Sequence, residues 1–133
     1  MTLNIRVIAP DRTVWDANAE EVILPSSTGQ LGILTGHIPL LTALDIGVMR
    51  VRIDKDWIPI VLMGGFAEID NNKITILVNG AEETIDIDIN LAQKNLEEAT
   101  AKLTQAISTK DKIEATQNIR KARARLQAVI TVN

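Results

Sequence analysis

The chain has 133 residues with 46% hydrophobic and only 2% aromatic content, no tyrosine, no cysteine and a single histidine. That length holds one domain or two small units with a core of Ile, Val, Leu and Ala, and the composition excludes disulfides, thiolate metal sites and multi-histidine metal sites. The formal net charge of −3 hides an asymmetry, because residues 1–89 carry 6 basic and 13 acidic side chains while residues 90–133 carry 8 and 4, which suggests two units with different partners.

In chain order, Leu3, Ile5 and Val7 alternate with Asn4 and Arg6, a strand period of two. Pro10-Asp11-Arg12 reads as a turn, Val14-Trp15 and Glu21 to Leu24 as short strands, and Pro25 to Thr28 as a loop. The stretch Gly29 to Leu44 reads as strand, tight glycine loop, strand, with Pro39 at a strand start because it has no N–H for a ladder. That reading presents Gln30 and His37 together at one end of the β-structure. Val48 to Ile53 is a two-faced strand, Asp54-Lys55-Asp56 turns the chain, and Trp57 to Met63 returns. Gly64-Gly65 is a break or bulge before Phe66 to Ile69. Asp70 to Lys73 is a hairpin turn, Ile74 to Val78 the return strand, and Asn79-Gly80 a further turn. Short strands at this spacing predict an antiparallel β-sandwich or flattened barrel over residues 1–86.

The period changes near Asp88. Ala92, Leu96, Ala99, Leu103 and Ala106 step by three and four, as do Ala115, Ile119, Ala122, Leu126 and Val129, with polar Ser108 to Asp111 between them. This predicts an antiparallel helical hairpin over residues 87–133, so the fold class is α+β. Asp88 is suited to cap the first helix. The seam has few large apolar residues, so the hairpin is expected to dock weakly on the sandwich and to be able to change position.

Among chemical motifs, there is no phosphate-binding GxxxxGK[ST], no GxGxxG after a strand and no HExxH. Ser26 and Ser27 have no motif that pairs them with His37, and no carboxylate pair is indicated. Enzyme activity, a cofactor and a metal are therefore not expected. The start, MTLNIRV, has no basic or long apolar segment, so no signal peptide is expected, and no apolar run approaches a membrane span. Arg120, Lys121, Arg123 and Arg125 form a basic cluster expected to point away from the helix seam. It is either a solvated face that favours the helix dipole or a docking stripe for an acidic protein surface. The acidic overall balance and the scarcity of aromatics disfavour nucleic acid.

The stretch GQLGILTGHIPLLTALDIGVMRV resembles the first signature of the epsilon subunits of F-type ATP synthases, and GGFAEIDNNKITILVNGAE resembles their second. The length and the order of sandwich and hairpin fit too. DRTVWD and VLMGGFA look like the cyanobacterial and chloroplast branch. The resemblance implies a non-catalytic rotor subunit of the central stalk, with the gamma subunit, the c-subunit ring and the beta and alpha subunits of the catalytic head as partners. It implies attachment to a thylakoid or plasma membrane through the complex, on the stromal or cytoplasmic side. Gln30 and His37 would contact gamma or the c ring; many members carry Glu where Gln30 stands, so a hydrogen bond is implied there. Arg120, Arg123 and Arg125 match a basic stretch that meets an acidic beta-subunit segment and blocks ATP hydrolysis when the hairpin extends. Some members bind ATP through an Asp-x-x-Arg-Ala motif; here Asp88 is present, but Leu91 replaces the Arg, which implies weak or no ATP binding. The alternative is a β-sandwich and coiled-coil adaptor unrelated to energy conversion.

Overall fold

Among the described residues, eight strands precede two helices, the order that the hydrophobic periods predict. The expected strands on either side of Asp45 join into one, as do those on either side of Gly64-Gly65, and the short strand Ala81–Glu83 was not expected. The structure, a computed structural model, describes residues 2–132; Asn133, which closes the expected hairpin unit, lies outside them. The strands are β1 (Leu3–Ala9), β2 (Arg12–Ala19), β3 (Glu21–Ser26), β4 (Gly29–Leu34), β5 (Leu40–Ile53), β6 (Asp56–Asp70), β7 (Lys73–Val78) and β8 (Ala81–Glu83). A single 3-10 turn, Thr84–Asp86, leads to the helices α1 (Ile89–Gln105) and α2 (Thr109–Val132).

The strands hydrogen-bond in the order β2-β1-β7-β6-β5-β3-β4, with β8 also paired to β6. Two long strands fold this path into a sandwich. β6 pairs with β7 over Gly65–Asp70 and with β8 over Ile60–Leu62, so it changes neighbours at its glycine pair. The two layers then share one core. Leu3, Ile5 and Val7 of β1, Val22 and Leu24 of β3, Ile33 of β4, Ile60 and Leu62 of β6 and Ile74 and Ile76 of β7 are all fully buried there.

The glycine pair bends β6 without interrupting it. Gly64 and Gly65 both have positive φ, +84° and +151°, and pairing with β5 resumes on both sides, at Leu44↔Gly65 and Ile46↔Met63. β2 is longer than the expected Val14-Trp15, because its exposed Arg12, Thr13, Asp16 and Asn18 dilute the apolar signal. Pro25 and Ser26 close β3 instead of lying in a loop. Asp54, Asn71 and Asn72 hold φ of 57°, 51° and 61°, the left-handed values that their turns require.

The helices pack against each other along small residues. Ala92 and Ala99 of α1 and Ala115, Ile119 and Ala122 of α2 are buried, while Leu96, Leu103, Leu126 and Val129 are half-buried. The connection is shorter than the polar run suggests. Ser108 Oγ accepts the Asp111 N–H at 3.1 Å, so Thr109 to Asp111 already belong to the first turn of α2.

A second apolar stripe on α2 faces the sandwich. Ala124 and Ala128, one turn apart and 3% and 0% exposed, pack on Val48 of β5 and Val61 of β6, with Ile46, Met63 and Ile87 around them. This contact rests on methyl groups. Each gains far less than the roughly 1.5–3 kcal/mol that a buried Leu or Ile side chain contributes.

Candidate functional site

Three groups of residues stand out: a loop end of the sandwich, the basic residues of α2, and the entry to α1.

At the loop end, the glycine loop between β4 and β5 carries His37. The Gly36 N–H donates to Asn72 Oδ1 at 2.7 Å, which ties the loop to the β6–β7 turn, and the His37 N–H donates to the Leu34 carbonyl at the end of β4 at 3.3 Å. His37 Nδ1 lies 2.7 Å from the Ile38 carbonyl. A carbonyl only accepts, so Nδ1 carries a proton toward Ile38 and Nε2 is the ring nitrogen left for a partner. Leu34, Ile38 and Leu41 flank the histidine and are 55%, 74% and 71% exposed. The sequence reading missed Ile38 and Leu41, since an apolar run beside a strand reads as core.

Gln30 does not join this end. It is the second residue of β4, the last strand on its edge of the sheet, and lies opposite Pro25. About 13 Å of strand separates it from the end of β4, at about 3.3 Å per residue, before His37 is reached. The expected juxtaposition fails because Gly29 turns the chain before the strand, not after it.

The basic residues of α2 do not form one stripe. At 3.6 residues per turn, Arg120 and Arg123 lie about 60° apart, as do neighbouring positions of one face, while Lys121 and Arg125 lie on another. Arg120 and Arg123 are exposed. Arg120 and Lys121 stand beside an open cleft of about 980 Å³ whose floor includes Ile8, Phe66 and Leu77. Lys121 and Arg125 flank the groove between the helices, beside Asn95 and Glu98.

Arg125 is not a free cation. Its Nε donates to both carboxylate oxygens of Glu82 at 2.8 and 3.0 Å, and its Nη2 donates to Oε2 at 2.7 Å. The hydrogen bonds to Glu82 raise the guanidinium pKa further above its ordinary value, partial burial opposes this, and the Glu82 charge adds to the rise. Among the described residues, the ion pairs Arg6–Asp16 and Arg52–Glu21 stay within the sandwich, while Arg125–Glu82 joins the hairpin to it. Sequence periodicity had no access to this pair, whose members are 43 residues apart.

At the entry to α1, Asp88 Oδ1 accepts the N–H groups of Asn90 at 2.9 Å and Leu91 at 3.2 Å. Leu91 itself is 55% exposed. Replacing the cap, Asp88→Ala, is expected to cost about 1 kcal/mol, visible as faster hydrogen exchange in the first turn of α1 with the strands unchanged. Equal exchange in both proteins would show that another group satisfies those amides. No metal-binding cluster of His, Cys, Asp or Glu occurs among the described residues, and none of their helices is long and apolar enough to cross a membrane.

The assembly of sandwich, loop end and docked hairpin has counterparts in known proteins. The ATP synthase, Delta/Epsilon chain, beta-sandwich domain matches residues 2–84, and the ATP synthase, Delta/Epsilon chain, long alpha-helix domain matches residues 86–129. The chain belongs to the ATP synthase delta/epsilon chain family. It is 77% identical over 128 residues to the chloroplastic ATP synthase epsilon chain of Porphyra purpurea, covering 96% of both chains. It is 63% identical over 131 residues to the ATP synthase epsilon chain of the cyanobacterium Thermosynechococcus vestitus, covering 96% of this chain and 95% of that one. A chain in the cryo-EM structure of the Euglena gracilis mitochondrial ATP synthase, which holds OSCP, F1 and the c-ring, has the same fold. It superposes with a TM-score of 0.85 at 22% identity, covering 97% of this chain and 81% of that chain. These relatives bear out the cyanobacterial and chloroplast branch read from DRTVWD and VLMGGFA, and the family sets aside the unrelated adaptor.

Proposed function

We propose that this member of the ATP synthase delta/epsilon chain family is a non-catalytic rotor subunit. Residues 1–86 would couple the rotation of the c-subunit ring to the catalytic head, and residues 87–133 would regulate ATP hydrolysis. The observation that carries the reading is the unequal strength of the two halves. The sandwich has a continuous core of fully buried Leu, Ile and Val, while the hairpin meets it in a small patch that includes Ala124, Ala128 and Ile87, beside the Arg125–Glu82 ion pair. An element that moves during function needs a weakly held contact on a rigid base.

The loop end is the contact surface toward gamma and the ring in this reading. His37 Nε2 offers a polar contact, and Ile38 and Leu41 offer apolar area around it. Gln30 contacts its partner separately, from the edge of β4. The complex holds the chain at a thylakoid or plasma membrane, on the stromal or cytoplasmic side.

Regulation places Arg120, Arg123 and Arg125 against an acidic segment of the beta subunits. Moving a hairpin from 1:99 to 99:1 takes about 5.5 kcal/mol of differential interaction. Exposed ion pairs give about 0.2–1 kcal/mol each, so the arginines must be largely buried at that contact or assisted by apolar side chains. Changing all three to Ala is expected to weaken inhibition of hydrolysis at least tenfold while leaving assembly with gamma intact. Undiminished inhibition by the triple variant would remove the arginines from the mechanism.

Asp88 is a helix cap and not a nucleotide ligand in this reading, because Leu91 puts an exposed aliphatic side chain where a phosphate would need a cation. Calorimetry with ATP is expected to give no heat of binding at micromolar protein. A micromolar Kd would contradict it.

A further inference from the structure

We infer that Glu82 and Arg125 form a latch that holds the hairpin on the sandwich and occupies the Nε edge of Arg125, so that an acidic protein partner competes with Glu82 for that edge. The inference rests on the reading of the hairpin as a regulator of hydrolysis and supplies its control point.

The placement of Glu82 carries the argument. β8 is only three residues long and pairs with β6 so that Glu82 lies directly opposite Val61. Directly opposed residues of an antiparallel pair share a face. Val61 is the residue on which Ala124 and Ala128 pack, so the carboxylate stands beside the apolar patch beneath α2. Arg125 follows Ala124 in sequence. Pair and patch therefore close together and open together.

The geometry makes the pairing exclusive at one edge of the guanidinium. One edge of the guanidinium fork, Nε with Nη2, is filled by both oxygens of a single carboxylate at 2.7 to 3.0 Å. A second carboxylate cannot take that edge while Glu82 holds it. Arg120 and Arg123 have no such pair among the ion pairs of the described residues and are exposed. They are available to a partner while the hairpin is down. Arg125 offers its Nε–Nη2 edge only once α2 leaves the sandwich. An acidic partner that recruits all three thus competes with Glu82 for the last.

The test uses the full chain and two readouts. Glu82→Gln removes the charge and keeps the shape. It is expected to accelerate hydrogen exchange in α2 about tenfold, with the strand amides unchanged, and to lower several-fold the concentration that half-inhibits ATP hydrolysis by a catalytic head complex. The charge swap Glu82→Arg with Arg125→Glu is expected to restore slow α2 exchange relative to either single change. Equal α2 exchange in wild type and Glu82→Gln overturns the latch. Faster exchange with coincident inhibition curves overturns the competition for Arg125. If neither protein inhibits at all while exchange still differs, the regulatory reading itself falls, and the competition falls with it.

Discussion

Gly65→Ala is expected to lower the melting temperature by roughly 10–20 °C, more than any other single methyl addition in the sandwich. Gly65 lies at φ +151°, a conformation that L side chains rarely adopt, where it bends β6. A Cβ built there would overlap the Leu77 carbonyl oxygen and lie 2.8 Å from Val78 Cα. Both are backbone atoms of β7, the strand paired with this part of β6, so no side chain can turn aside. Forced backbone strain costs about 1–3 kcal/mol, and overpacking adds about 1–3 kcal/mol. Against a total stability of about 5–15 kcal/mol, that is a large share, and each kcal/mol moves the midpoint by several degrees in a protein of this size. The neighbouring Gly64 is the control. Its φ is also positive, but the nearest atoms to an added Cβ lie 3.7 Å away, so Gly64→Ala carries only the strain. Thermal melts of the two variants check this, and a Gly65→Ala melt within about 2 °C of wild type would show that β6 and β7 can separate at little cost.

Ala128→Leu is expected to free the hairpin without unfolding the sandwich. Ala128 is 0% exposed and wedged with Ala124 between α2 and the pair Val48 and Val61. Extra methylenes in a closed contact cost about 1–3 kcal/mol. Either the sandwich yields or the helix lifts. Val48 and Val61 belong to β5 and β6, which run through the middle of the sheet and are backed by the main core. To this apolar patch α2 brings two alanines, with the Arg125 pair beside it, so the helix lifts. A cost of about 1.4–2.8 kcal/mol is a tenfold to hundredfold shift in the docking equilibrium. Hydrogen exchange of α2 should rise by that factor, while the amides of β1, β3 and β7 keep their protection. Ala124→Leu should act in the same direction. Uniform loss of protection in strands and helices would mean instead that hairpin and sandwich fold as one unit.

The order of elements was legible because the sequence carries two clean periods. Alternation in β1 and the three-four steps after Asp88 each come from one buried face, and one face is what a periodic pattern reports. β2 was read short because an exposed strand buries too little to alternate. The glycine pair read as a break or bulge is a bend, since sequence marks the unusual φ but not the pairing on either side. The second stripe of α2 escaped because Ala124 and Ala128 look like ordinary helix formers; only the valines opposite make them a contact. For the candidate site, Asp88 as a cap was local and therefore readable. The separation of Gln30 from His37 depended on which side of β4 the chain turns. The partner of Arg125 depended on the position of a three-residue strand that follows two turns. Pairings across the fold of this kind leave no mark in spacing.

Regulation by the hairpin and binding by the sandwich are separable by truncation. The sandwich core consists of residues from Leu3 to Ala81, so a chain ending at Asp88 keeps all of it. The most direct test is ATP hydrolysis by a catalytic head complex lacking this subunit, titrated with the full chain and with the chain truncated after Asp88, with binding to gamma measured in parallel. Inhibition by the full chain alone, with both proteins bound to gamma, is the predicted result. Equal inhibition by both proteins, or no inhibition by the full chain while it is bound to gamma, would contradict it.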